Sequence, residues 1–519
     1  MKRKLAELHI NIMMWNRIRA DKMKFAPLLV LVLSGNSWGR TSLNLQAPTD
    51  GTDATAAINS AIDATSAAGG GLVHLPAGTY TIQGHNLPSD GAVVLKSNVC
   101  LEGDGPGATI LQLKDHMGAD VTGLVRTPTA ISVHDVCLRN LTIDGNKANN
   151  GASSVIGFFS GVNPSVAVNS ISVSGNTATV TTAAEINRHS AGHTFHIFSA
   201  APSALTGDFV VQSVPNSTTF TIAVASGTNS ETVLPGQMWF YPTSLADAYI
   251  YDVLIDNVEV RNCSDYGFDP HERMVRLSIT NSTSHDNDKD GFVADYIEHG
   301  AYINDHAYNN GRHGFNITTR TNNFSLLNCV ADHNGVDGAV IQRGTSSLPF
   351  PELVDITGGA FHQNSRDGIL VQMGGRVTIS RVKALENGWA GIHLMGTRYS
   401  TVVGNLVSGN SQQKDNAKDE ILLQMYDDTA GVSGVNYPSI HNLIVNNCIG
   451  SALTNRAKYS IEEANDTSDY NAILDNTAFG AATGNYLTHG VNTIVSGFAT
   501  ERGARRCPEM SIALGFQRP

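Results

Sequence analysis

The sequence is short of charge, of proline and of cysteine. Charged residues make up 15% of the 519, prolines number 17 and cysteines six. Against 50 glycines, so small a charged fraction excludes a solvated disordered chain, and it excludes a helical bundle, which needs more Ala, Glu, Lys and Leu. What remains is a folded, turn-rich, mostly β chain, long enough for one elongated domain or two to three compact ones. Basic residues are in deficit, 34 against 46 acidic, which gives a formal charge of −12. Nucleic acid is thereby excluded as the main partner, because binding a phosphate backbone needs a basic footprint. An anionic substrate would have to be held by local charge. No run of eighteen apolar residues exists, so no membrane span is expected.

The six cysteines (Cys100, Cys137, Cys263, Cys329, Cys448, Cys507) lie far apart, without a Cys-x-x-Cys pair. That spacing excludes a dense disulfide framework and argues against a zinc cage. Cys100 and Cys137 share a Val-Cys-Leu context and fit stacked strand neighbours, but buried free thiols account for them as well and are the expectation taken here. From Met23, a basic start, an apolar run from Phe25 to Leu33 and the small residues Ser37 and Gly39 have the form of a short signal peptide. Residues 1–39 are therefore expected to be a leader, and the protein to be secreted.

Past the leader, Ala57, Ile58, Ala61 and Ile62 are spaced on one helical face, followed by Gly69-Gly-Gly-Leu-Val-His-Leu. This predicts a capping helix that hands over to strands. The middle of the chain repeats itself: Asn-Asp-Lys-Asp-Gly-Phe (287–292), Asn-Gly-Arg-His-Gly-Phe (310–315), Asn-Gly-Val-Asp-Gly-Ala (334–339), Asn-Ser-Arg-Asp-Gly-Ile (364–369) and Asn-Gly-Trp-Ala-Gly-Ile (387–392), preceded by Cys-Ser-Asp-Tyr-Gly-Phe (263–268). The shared glycines 267, 291, 314, 338, 368 and 391 are 24, 23, 24, 30 and 23 residues apart. Such a period with short strands and Asn/Gly turns predicts a parallel β-helix, each coil rising one strand spacing of roughly 4.8 Å.

Register then assigns faces. Phe268, Phe292, Phe315, Ala339, Ile369 and Ile392 form one inward column, and Pro270, Ala294, Ile317, Ile341, Val371 and Leu394 another. Asp269, Val293, Asn316, Val340, Leu370 and His393 face outward, as do His271, Asp295, Thr318, Gln342, Gln372 and Met395, so His271 and Asp295 are stacked on adjacent coils. Residues 165–242 alternate like strands but lack the period, which predicts a small inserted all-β domain. The expected organisation is a leader (1–39), an N-terminal β-helix part (40–164), the insert (165–242), the catalytic part of the β-helix (243–480) and a tail (481–519) that carries Arg502, Arg505 and Arg506.

Tyr266, Asp269 and His271 bring a phenol, a carboxylate and an imidazole within six residues, and Asp295 one coil away would fix the tautomer of the histidine. Such a cluster can transfer protons, although stacked polar residues that merely solvate a sheet face would share this spacing. Lys289, Arg312 and Arg366 fall in one turn column with Asp265; His313 follows Tyr266 and Asp290 in the next, with Arg320 and Arg343 nearby. A basic lane beside an acid/base cluster suits a groove for a polyanion. The loop that follows Arg343 is placed to wall it.

Tyr-Gly-Phe-Asp-Pro-His-Glu (266–272), Asp-Gly-Phe-Val-Ala-Asp-Tyr (290–296), Arg-His-Gly-Phe-Asn (312–316), Gln-Arg-Gly (342–344) and Asp-Asp-Thr-Ala-Gly (427–431) resemble the catalytic module of the secreted mannuronan C5-epimerases over about 40–164 and 243–480. The resemblance implies a right-handed parallel β-helix that converts β-D-mannuronate to α-L-guluronate within alginate, with Ca2+ whose ligands do not stand out; a monomer is expected. It makes Tyr266 and His271 the proton-transfer pair. Asp269 and Asp295 would orient them or share a proton with the substrate carboxylate, and Arg312 and His313, with Lys289 and Arg343 beside them, would hold neighbouring uronates. The family's further lysine falls at Ser154 here; Lys147 is the candidate substitute, although an ordinary surface lysine would fit its place better. The calcium-binding repeats that follow the module in many relatives do not occur in this sequence. An alginate lyase would use the same site. A hydrolase would cast Asp269 and Asp295 as its two carboxylates, and a non-catalytic glycan-binding β-helix would need none of these roles.

Overall fold

The computed structural model describes residues 42–498 apart from short segments, of which the longest are 84–91, 161–165, 184–190, 229–236, 242–249, 345–349 and 429–434. The expected leader, the tail arginines and most of the loop after Arg343 lie outside the described residues.

Each coil of the repeat is three short strands: Phe292–Asp295, Ile297–Ile303 and His306–Tyr308 make one, and Phe315–Thr318, Asn322–Leu327 and Val330–Asp332 the next. Corresponding strands pair in parallel, with Phe292 opposite Phe315, then Ala339, Ile369, Ile392 and Ile421 on successive coils. The chain is thus a parallel β-helix, and the expected inward columns are its core: all six residues of the first column are fully buried. Phe268, Phe292 and Phe315 stack ring on ring at 4.8 and 5.0 Å, each pair adding about 0.5–1.5 kcal/mol to what burial alone contributes.

The asparagine that opens each repeat does more than turn the chain. Asn287, Asn310, Asn334, Asn364 and Asn387 are buried, and each donates its amide to the next one's carbonyl oxygen at 2.8–3.1 Å, ending on Asn410. The shared glycine leaves room for this ladder: a Cβ on Gly291 would lie 2.7 Å from the Asn310 amide nitrogen.

The helix Thr55–Ala67 covers the N-terminal end with Ile58, Ala61, Ile62 and Thr65 buried, whereas Ala57 is exposed. The buried face follows the i, i+3, i+4, i+7 spacing from Ile58, and Ala57 falls just outside it. Strands from Val166–Ser174 to Gln237–Tyr241 close a six-stranded antiparallel barrel with its own core around Val180, Ile197, Phe220 and Ile222.

Two expectations need correction. The coils do not end at 480, because Gly484–Leu487 pairs with Tyr459–Glu463 and Ile494–Ser496 with Ala472–Leu474; this last coil lacks the Asn-x-x-x-Gly signature of the repeats between 287 and 391. Cys100 and Cys137 are not free thiols. They face each other in register on parallel strands, 4.2 Å apart at Cα, and are disulfide-bonded. Cys448 is disulfide-bonded too, while Cys263 and Cys329 are buried free thiols. Among the described residues no helix is long and apolar enough to cross a membrane.

Candidate active site

The strand Phe268–Pro270 sends Phe268 into the core and turns Asp269 outward. The outward column is nevertheless buried, from 1% exposure at Val340 to 7% at His393, with Asp269 at 4%. It runs between the turn column on one side and the His271 and Asp295 column on the other. Burial pushes the Asp269 carboxyl up to about 7; His271 works against that shift and Asp295 adds to it.

His271 follows the strand directly, its N–H fixed to the carbonyl of Ser160 at 2.7 Å. Its Nε2 lies 3.0 Å from Oδ2 of Asp295, the stacked neighbour that the register predicts. The imidazole also stacks on Phe159 at 6.0 Å, and Arg126 lies over that ring at 5.4 Å. Arg126 is 1% exposed, and burial lowers its guanidinium to about 10.

Tyr266 sits at the turn before the strand. Burial, then the Asp269 carboxylate, raises its phenol well above the ordinary value, while Arg312 pulls the other way. Arg312 donates from Nη2 to the phenol oxygen at 3.4 Å, and both it and Lys289 lie over the ring, at 5.4 and 4.8 Å. Asp290, fully buried one coil on, holds Arg312 in a two-point fork and also accepts the His313 N–H at 3.0 Å and the Asn316 amide at 2.8 Å. These bonds to Asp290 raise the guanidinium of Arg312 further. Lys289 pairs with buried Asp265 at 2.8 Å, the same carboxylate to which Ser154 donates. His313 points at Asp337, Nδ1 to Oδ2 3.1 Å.

Tyr266, Asp269, His271, Asp295, Lys289, Arg312 and His313 are therefore gathered along one face. Two other expected cations are committed elsewhere. Lys147 donates to the carbonyl of Asp286 at 2.6 Å and pairs with Asp288 at 2.8 Å. Arg343 is 11% exposed and pairs with Asp428, 2.9 Å away, so it ties the Gln-Arg-Gly segment to that aspartate. Asp265 and Asp290, which the register places in the turn columns without a role, support the cluster, and so do Phe159 and Arg126, which the sequence does not single out. For Asp290 a signal existed, an aspartate directly before the shared glycine, whereas Val125-Arg126-Thr127 reads as an ordinary strand end. Among the described residues no group of three or more His, Cys, Asp or Glu side chains is placed to hold a metal ion.

A stack of parallel coils that carries titratable groups along one face is a right-handed parallel β-helix. Residues 46–269 match the family model for rhamnogalacturonase A/epimerase, pectate lyase-like, and residues 244–350 match that for the right-handed β-helix region. Within that class the chain belongs to the mannuronan C5-epimerase family. The solved A-modules of mannuronan C-5 epimerases AlgE6 and AlgE4 from Azotobacter vinelandii are 32% identical to it with TM-scores of 0.66, and the match covers 97% and 98% of those modules and 88% and 87% of this chain. Mannuronan C5-epimerase AlgE5 of the same organism is 35% identical over 445 residues, and its alginate lyase 7 is 34% identical over 448. Each match covers 86% of this chain but only 36% and 42% of those two relatives.

Proposed function

We propose that the protein is a secreted, monomeric mannuronan C5-epimerase that acts on alginate. The observation that carries this reading is the juxtaposition of His271 on Asp295, Tyr266 on Arg312, and a buried Asp269 that holds its proton near neutrality between them. The C5 hydrogen of a uronate is adjacent to a carboxylate that resists becoming a dianion. Protonated Asp269 donates a hydrogen bond to that carboxylate and, with Arg312, spreads its charge. One of Tyr266 and His271 then takes the proton as the C5–H bond breaks, and the other returns a proton to the opposite face, so that no proton or electron is gained or lost overall. Asp295 orients His271. His313 and Lys289 border the groove where adjoining uronates would lie.

Ca2+ is implied by the resemblance; among the described residues no group of three or more His, Cys, Asp or Glu side chains is placed for it, and no step above is routed through it. Secretion is supported by the Cys100–Cys137 disulfide, which persists in oxidising compartments. A second outcome is favoured by the likeness to an alginate lyase: if the C4–O bond breaks before reprotonation, the same intermediate gives an unsaturated chain end.

The test is incubation with polymannuronate, following guluronate by proton NMR, unsaturated ends by ultraviolet absorbance and new reducing ends by colour. Guluronate without the other signals is expected. His271→Ala should lower its rate about 100-fold or more. Unsaturated ends as the main product would make the protein a lyase, and full activity in His271→Ala would refute the assignment.

A further inference from the structure

The basic lane continues far beyond the proton-transfer groups. Backbone hydrogen bonds link Asp265, Lys289, Arg312, Val336, Arg366 and Trp389 in one unbroken column, each N–H donating to the carbonyl of the residue before it at 2.7–3.2 Å. Five coils of roughly 4.8 Å place Trp389 on the order of 24 Å from Tyr266 along the helix axis. There the cations are held differently. Near Tyr266, Lys289 is neutralised by Asp265 and Arg312 by Asp290, and further along the helix Lys458 pairs with Glu462. Arg366 and Lys418 have no carboxylate partner among the described residues. Both pack instead on the indole of Trp389, with the guanidinium carbon 3.8 Å and the ammonium nitrogen 4.2 Å from the ring centroid. Trp389 is itself fixed by donating Nε1–H to Gln413 at 3.0 Å. The Nε of Arg366 is buried without a hydrogen-bond partner.

An aromatic face holds a cation in place without cancelling its charge, as a carboxylate would. Each contact contributes only about 0.5–1 kcal/mol at such a site, little for the stability of the coil. What it preserves is two positive charges, that of Arg366 in the same turn column as Lys289 and Arg312, in a molecule whose net charge is −12. We propose that the Arg366–Trp389–Lys418 stack is a distal subsite that binds carboxylates of a polyuronate chain whose reacting sugar lies at Tyr266 and His271. The inference rests on the proposed substrate class, but it concerns binding, and so it is tested separately from turnover.

Affinity for oligomannuronates is measured by calorimetry in the His271→Ala background, where no turnover interferes. The expected result is that Arg366→Ala/Lys418→Ala weakens binding of a dodecamer about tenfold, that is, about 1.4 kcal/mol for two charge contacts, and lessens its salt dependence. A trimer should lose less than the dodecamer. Trp389→Ala should resemble the double variant, and Trp389→Phe, which keeps a π face, should restore most of the affinity. Unchanged dodecamer affinity, or equal losses for trimer and dodecamer in variants with unaltered unfolding midpoints, would overturn the subsite. So would the absence of any uronate binding by the parent protein. Length-dependent binding without any turnover by the wild-type protein would instead refute only the catalytic proposal.

Discussion

Asp269 has the core on one side of its strand and the groove on the other, and its burial is what moves its carboxyl up to about 7. A group with a raised value is neutral below that pH and charged above it. If its proton serves the substrate carboxylate, kcat/KM must fall as the pH rises through about 7, because the ionised form adds a second negative charge beside the first. A pH–rate profile of wild type against Asp269→Asn checks this: the amide stays neutral, so the alkaline fall attributable to Asp269 should vanish on a lower plateau. Persistence of the same fall in Asp269→Asn would assign it to another group. Asp290 works at one remove. It is fully buried and holds Arg312, His313 and Asn316 together. Asp290→Ala leaves Arg312, which water still reaches, without its partner and strands the buried His313 N–H and Asn316 amide, which should cost about 1–3 kcal/mol in denaturant unfolding.

At the level of the coil, the 23-residue period, the inward columns and the stacking of His271 on Asp295 are legible in the sequence because a side-chain period of two fixes which residues face together. The burial of the outward column is not, since it depends on the walls at either side of the strand. The asparagine ladder is half legible: the asparagines mark turns in the sequence, but only the stacked backbone reveals that their amides bond to one another inside the coil. Asn334 accepts from the Asn310 backbone and side-chain N–H groups and donates to Asn364 and the carbonyl of Ala307. Asn334→Ala strands all of these partners in a dry interior. With each unsatisfied group costing about 1–3 kcal/mol, the loss should be at least about 3 kcal/mol in thermal or denaturant unfolding; a loss under about 1 kcal/mol would mean that the ladder is not a source of stability. Lys147 and Arg343 show the opposite limit. Their place in the sequence suggested the groove, but a lysine or arginine goes to the nearest carboxylate, and Asp288 and Asp428 become adjacent only in three dimensions.

Across the whole molecule, the Cys100–Cys137 bond closes a 37-residue separation near the N-terminal end of the stack. Chain-entropy arguments give such a closure about 3–4 kcal/mol, so Cys100→Ala/Cys137→Ala should unfold at distinctly lower denaturant concentration, and reductant should lower the wild-type midpoint in the same way. An unchanged midpoint would remove the main support for an oxidising compartment. The larger proposition is that one long groove binds a polyanion and inverts single carbons within it. Turnover of polymannuronate in deuterium oxide tests this most directly, with the products read by NMR. A base that removes the C5 proton and an acid that returns a solvent-exchanged one from the other face should give guluronate residues that carry deuterium at C5 in an uncut chain. Guluronate that keeps its original hydrogen, or a chain that is cut with no guluronate formed, would contradict it.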